Sequence, residues 1–163
     1  MVCLNNKSKW HLDFNGGLVP ILETPNGDLI KESGVIMAFA HESGPKQGGI
    51  SLIPSDPVQA AKMRLEMEAI SGKLGACFWG WYMSRGEDDA KIDQFATESL
   101  PFLEEICKNS NGQFLFRTEQ PTMLDVQVAP FLEFVAILEN SPWHNVYERA
   151  DIKNKAKHLI EYV

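Results

Sequence analysis

Long apolar runs are missing from this sequence. Nothing in its 163 residues approaches the ~20 consecutive apolar positions needed to cross a bilayer, so membrane insertion is not expected. The first ten residues, MVCLNNKSKW, hold no apolar stretch of the kind a secretory signal carries. Cysteine is scarce. Cys3, Cys77 and Cys107 lie far apart, form no CxxC pair and are odd in number, which predicts reduced thiols in a cytoplasmic protein. The histidines (His11, His41, His144 and His158) are scattered too. Neither HxxxH nor HExxH occurs, so no metal site is expected. Positive charge is in deficit: a net charge of −7 argues against nucleic acid or an anionic membrane as the main partner. Internal repeats and low-complexity tracts are absent as well.

What is present fits a globular protein. Apolar residues make up 44% and charged residues 23%, and the length suits one ordinary domain or two small ones. The chain changes character once. Residues 1–42 mix short strands with short helices. VCLN reads as a strand, and LVPILET and DLIKE read as two more joined by the hairpin signal PNGD. SGVIMAFAHES then reads as a short helix with Val35, Ile36, Phe39 and Ala40 on one face, Ser33 as its N-cap, and Gly44-Pro45 as its stop.

Residues 43–56 have the composition of a linker, with Ile50, Leu52 and Ile53 pinning it to a surface. Residues 57–163 read as helical throughout. Asp56-Pro57 supplies an N-cap and a proline at N1, where a missing N–H costs nothing. The first long helix is predicted to run to about Ser84, with Met63, Met67, Ile70 and Leu74 on one face and Arg85-Gly86 as its end. A second runs from about Asp89 to Lys108, kinked or split at Pro101. A third starts at TMLD and reaches about Leu138, with Pro130 as another kink site. A fourth covers the C-terminus from about Asn145, carrying Ile152, Leu159 and Ile160.

One stretch raises a chemical question. In GLVPILETPNGDLIKES, Pro20 interrupts an apolar run that otherwise reads as a buried strand. It lacks an N–H and would break a central ladder. An edge strand, a bulge or a cis Val19–Pro20 peptide would each accommodate it. The last would leave the Val19 backbone facing outward, able to pair with another extended chain. Glu32-Ser33 lies where a strand ends and a helix begins. A helix N-terminus binds carboxylates through its unpaired N–H groups, Ser33 adds a hydroxyl, and Glu32 offers a negative charge to an ammonium. The set suits an α-amino acid head group, although an N-cap serine alone would be structural.

This stretch resembles the glutathione-binding core of the glutathione S-transferases: a Val-Pro on the third strand, a hairpin, then Glu/Gln-Ser at the start of the third helix. SLIPSDPVQAAKMR is similar to the family's linker into its first long helix. PTMLD is similar to the capping box of the helix at the centre of its second domain. NNKSKWHLDFN is similar to the second strand and irregular second helix of the omega class. The likeness covers nearly the whole chain. It implies an α/β plus all-α protein, with an incomplete thioredoxin-like N-terminal domain (1–42), a linker (43–56) and a helical C-terminal domain (57–163).

The resemblance also implies roles. Lys7 would reach the glycine end of glutathione, where the plain alternative is a solvated lysine. Val19 would pair through its backbone with the cysteinyl residue, with Pro20 setting the geometry. Glu32 and Ser33 would hold the γ-glutamyl head. Glutathione is thus the implied substrate or ligand.

The family's first strand and helix, which carry the catalytic Cys, Ser or Tyr, have no counterpart before VCLN. The final C-terminal helices also look missing after EYV. None of the three cysteines matches the catalytic position. Cys3 is the least implausible substitute by position, but no catalytic residue is assigned. Unpaired strand edges then call for a partner strand, a dimer mate or rearranged packing. Two functions follow. One is an enzyme, carrying out glutathione conjugation or omega-type thiol transfer if the catalytic segment lies upstream. The other is a non-catalytic scaffold or interaction subunit of a larger assembly. Glutathione and either a second copy of the chain, in a homodimer, or a larger assembly are the expected partners.

Two further clusters stand out. CFWGWYMS packs Phe78, Trp79, Trp81 and Tyr82 onto the first long helix, either as core or as a surface for an aromatic electrophile or partner. In TMLD, Thr122 and Asp125 have the spacing of a capping box, each bond worth roughly 1 kcal/mol. Val126, Val128, Phe131, Leu132 and Val135 then make that helix apolar on most faces.

Overall fold

The structure is a computed structural model that describes residues 6–44, 50–111 and 114–163, without the side chains of 76 and 77. The strand expected at VCLN and the position of Cys3 lie outside the described residues. The chain divides into two compact units, Met1–Ile50 and Ser51–Val163.

In the first unit, helix α1 (Lys9–Asn15) ends where Gly16 turns left-handed, φ 57°, and its N–H closes on the Leu12 carbonyl at 2.9 Å. Strands β1 (Ile21–Glu23) and β2 (Leu29–Lys31) form an antiparallel hairpin with Ile21 opposite Lys31, Leu22 opposite Ile30 and Glu23 opposite Leu29. The turn is held by Thr24, whose N–H donates to Asp28 O at 2.9 Å and whose hydroxyl accepts from Asp28 N–H at 3.1 Å. Gly27, at φ 87°, supplies the conformation that a side chain would resist. The ladder is shorter than LVPILET suggests, because Leu18, Val19 and Pro20 precede it. Helix α2 (Ser33–Ser43) packs on both strands with Ile36, Met37, Ala38 and Phe39 half-buried.

Ser33 is not the N-cap. Glu32 is, with φ 70° and a carbonyl that accepts from Ile36 N–H at 2.9 Å. Ser33 is therefore the first residue of the helix, one position further in than expected.

The first helix of the second unit is α3 (Pro57–Met83), where Asp56 Oδ1 accepts from Gln59 N–H at 2.8 Å and Pro57 occupies N1. Met63, Ile70, Leu74, Phe78 and Trp81 form one buried stripe at helical spacing, while Met67 is half-buried. Left-handed Arg85 and Gly86 end it. Asp88 caps helix α4 (Asp89–Gln94) through two amides, and the path continues through a π-helical segment, Phe95–Ser99, into helix α5 (Leu100–Ser110). Pro101 cannot donate to Thr97 O, and the wider turn immediately before it accommodates that loss.

Helix α6 (Met123–Ala136) buries Met123, Leu124, Val128, Leu132 and Val135 and is followed by a 3-10 turn, Ile137–Asn140. Val126 is exposed, so the helix has a solvent side. The C-terminal segment corrects the expectation of one helix. It forms three short ones, α7 (His144–Arg149), α8 (Ile152–Lys155) and α9 (Lys157–Tyr162). Asp151 adopts φ 55° and Ala156 leaves the helical region, so the hydrogen-bond ladder is interrupted twice. The turns let Val146, Ile152, Ala156 and Leu159 all bury.

The aromatic cluster is mainly core. Trp81 is fully buried against Phe78 (ring centroids 5.3 Å), Phe95 and Phe134, whereas Trp79 remains 43% exposed. Among the described residues, no helix is long and apolar enough to cross a membrane and no side-chain group could hold a metal.

Candidate functional site

The hairpin register sets the candidate site. Ile21 and Lys31 form its last rung, so the preceding Val19–Pro20 and the following Glu32-Ser33 emerge at the same end of the ribbon. The Val19–Pro20 peptide is cis. Val19 is 55% exposed, as an extended partner would require. Glu32 and Ser33 are exposed at the start of α2. The amides of Ser33, Gly34 and Val35 have no partner within the helix, so the positive end of the helix dipole lies beside the Glu32 carboxylate and the Ser33 hydroxyl.

Lys7 lies across Gly17, which stands two residues before Val19 in the chain. A Cβ built at Gly17 would stand 2.8 Å from Lys7 Cδ and 3.5 Å from its Nζ, and Gly17 itself has φ 75°. The positive φ favours glycine there, whereas the Lys7 side chain could shift aside for a Cβ. Lys31 turns its ammonium over the Phe14 ring at 5.9 Å.

Sequence reasoning missed what holds the loop before Val19. His11 Nε2 donates to Leu18 O at 2.7 Å, Asn15 Nδ2 donates to the same oxygen at 3.0 Å, and Leu18 N–H donates back to Asn15 O at 2.9 Å. The only signal available was the i, i+4 spacing of His11 and Asn15, which places both on one face of α1.

In the second unit, Thr122 donates to Asp125 Oδ2 twice, from its backbone N–H and from its hydroxyl, each at 2.7 Å. Asp125 Oδ1 accepts from Leu115 N–H at 2.6 Å and Tyr162 hydroxyl at 2.9 Å. This buried carboxylate joins the loop before α6, the helix start and the last helix. It touches no candidate ligand group, so its contribution is to folding.

Cys107 offers no nucleophile. It is buried, and burial together with the nearby Glu104 charge pushes its thiol up to about 12. A thiol so protonated carries almost no thiolate at neutral pH.

The fold is that of a glutathione transferase, combining a partial thioredoxin-like unit with a helical one. A solved structure, glutathione transferase Omega 3C from Trametes versicolor, matches 97% of this chain and 74% of its own with a TM-score of 0.66 at 21% identity. No family model matches. Glutathione S-transferase omega-1 from Rattus norvegicus is 30% identical over 138 residues, covering 83% of this chain and 55% of the relative. The Mus musculus omega-1 protein is 28% identical over the same span. A probable glutathione S-transferase from Solanum tuberosum is 33% identical over 108 residues, 65% of this chain and 48% of that protein. The chain thus spans about half the length of the curated relatives it matches. It is an omega-like member of the glutathione S-transferase family.

Proposed function

We propose that the first unit binds glutathione at the end of the β1–β2 hairpin. The γ-glutamyl carboxylate lies against the Ser33 hydroxyl and the first amides of α2, and its ammonium against Glu32. The Val19 backbone pairs with the cysteinyl residue, and Lys7 neutralises the glycine carboxylate. Glutathione carries two carboxylates and one ammonium at neutral pH, and these groups meet two positive features and one negative one. The observation that carries the reading is the hairpin register, which delivers Val19 and Glu32-Ser33 to one end of the ribbon. The protein then acts in the cytoplasm, as a homodimer or as a subunit of a larger assembly.

Calorimetric titration with glutathione tests the site. Glu32→Gln and Ser33→Ala should each weaken binding by about tenfold, the worth of one charge-assisted contact. Wild-type affinity in both variants removes the site.

Glutathione conjugation or omega-type thiol transfer follows if a residue N-terminal to the hairpin activates the bound thiol. A non-catalytic scaffold or interaction subunit of a larger assembly is the second reading, supported by the burial of Cys107, which keeps that thiol from a ligand. Conjugation and thiol-transfer assays on this chain separate the two: binding without turnover supports the subunit, and turnover supports the enzyme.

A further inference from the structure

His11 and Asn15 converge on a single carbonyl, that of Leu18. His11 is 1% exposed. A ring nitrogen that donates to a carbonyl must carry a proton, so Nε2 is protonated in this contact. The other ring nitrogen, Nδ1, is buried with no hydrogen-bond partner among the described residues. A phenyl ring would fill much the same space without stranding a polar nitrogen. What histidine adds at this position is the bond from Nε2.

The Leu18 carbonyl and the Val19 N–H belong to one planar peptide unit. The cis bond lies one residue later, so this unit is trans and its C=O and N–H point in opposite directions. Fixing the carbonyl against α1 therefore turns the Val19 N–H away from α1. We propose that His11 and Asn15 are positioning residues that aim the Val19 N–H at the cysteinyl carbonyl of an extended γ-glutamyl tripeptide. Neither side chain need touch the ligand. The proposal rests on the glutathione reading above and adds to it a pair of residues that set the site's backbone.

The test combines two measurements on wild type, His11→Phe, His11→Gln and Asn15→Ala. The first is the backbone 15N order parameter of Val19 without ligand, and the second is glutathione affinity by calorimetry. In His11→Phe the order parameter should fall from about 0.85 towards 0.6, the change from rigid to flexible backbone, with affinity about tenfold weaker. His11→Gln, whose amide reaches about as far as Nε2, should recover most of both. Asn15→Ala removes the weaker donor at a half-buried position and should cost about threefold; it also serves if His11→Phe does not fold.

Wild-type values for Val19 order and glutathione affinity in His11→Phe and Asn15→Ala overturn the proposal. So does a loss that His11→Gln fails to recover, which would assign His11 to packing alone. If the variants match wild type while Glu32→Gln and Ser33→Ala lose glutathione, the site stands and the positioning pair does not. If wild type itself fails to bind glutathione, the ligand reading and the aim assigned to this pair fall together; loosening of Val19 in His11→Phe then shows only that the loop is clamped.

Discussion

Tyr162 donates its hydroxyl to Asp125 Oδ1 at 2.9 Å, tying α9 to the first turn of α6. The same carboxylate accepts from Leu115 and Thr122. Replacing Asp125 with Ala strands several buried donors at once. It should lower stability by about 3 kcal/mol or more, read from urea unfolding. Tyr162→Phe removes one of those bonds and should cost about 1 kcal/mol. The two losses should not add in the double variant, because they share the bond.

Glu104 on α5 holds the start of α9. Its Oε1 accepts from His158 N–H at 3.0 Å and from His158 Nδ1 at 2.5 Å, and Oε2 accepts from Leu159 N–H at 2.9 Å. Burial works to raise its carboxyl, but these bonds together outweigh it, so Glu104 titrates below its ordinary value of 4.5. A depressed carboxylate contributes stability above its unfolded pKa and loses it as pH falls through the folded one. Glu104→Gln should therefore have a lower thermal midpoint than wild type at pH 7, and the gap should close as pH drops below 4.5. A gap that stays constant across that range would remove the acid-sensitive role.

Cys107 is expected to resist alkylation. With its thiol pushed up to about 12 and its side chain buried, labelling depends on unfolding. Mass-spectrometric mapping after iodoacetamide treatment at pH 8 should find Cys107 modified at least ~100-fold more slowly in native protein than in denaturant.

Gly86 sits at φ 71°, and a Cβ there would come within 3.0 Å of Val146 Cγ2. Gly86→Ala combines an unfavourable backbone with a collision against a buried residue. A loss of about 2 kcal/mol is expected, measured as a fall in the denaturant midpoint without a change in slope.

Local chemistry made much of the fold legible. PNGD marks the hairpin, Asp56-Pro57 starts the long helix, and Arg85-Gly86 ends it, because each signal is satisfied by atoms a few residues away. The break of the C-terminal segment at Asp151 and Ala156 was not legible, since neither residue is a strong helix breaker and the turns answer to burial of Val146 and Leu159. The shift of the cap from Ser33 to Glu32 depends on a positive φ that glutamate rarely adopts. At the candidate site, Glu32, Ser33, Val19 and Lys7 could be picked from residue type and resemblance. The hold of His11 and Asn15 on Leu18 could not, because it needs the path of the loop after Gly16-Gly17. The extra partners of Asp125 were hidden for the same reason: Leu115 and Tyr162 reach it only through tertiary packing.

The π-helical turn at Phe95–Ser99 makes chain length a conformational variable. A residue deleted from an ordinary surface loop is absorbed by slack. A residue deleted from regular α-helix advances everything after it by about 100°. A π-turn is closed by i→i+5 bonds and already holds one residue more than an α-turn, so a residue deleted here would let the path close as ordinary α-helix, with Leu103 and Cys107 still in phase with Ile92. The extra residue is therefore slack stored inside a helix, placed where Pro101 leaves a carbonyl without its donor.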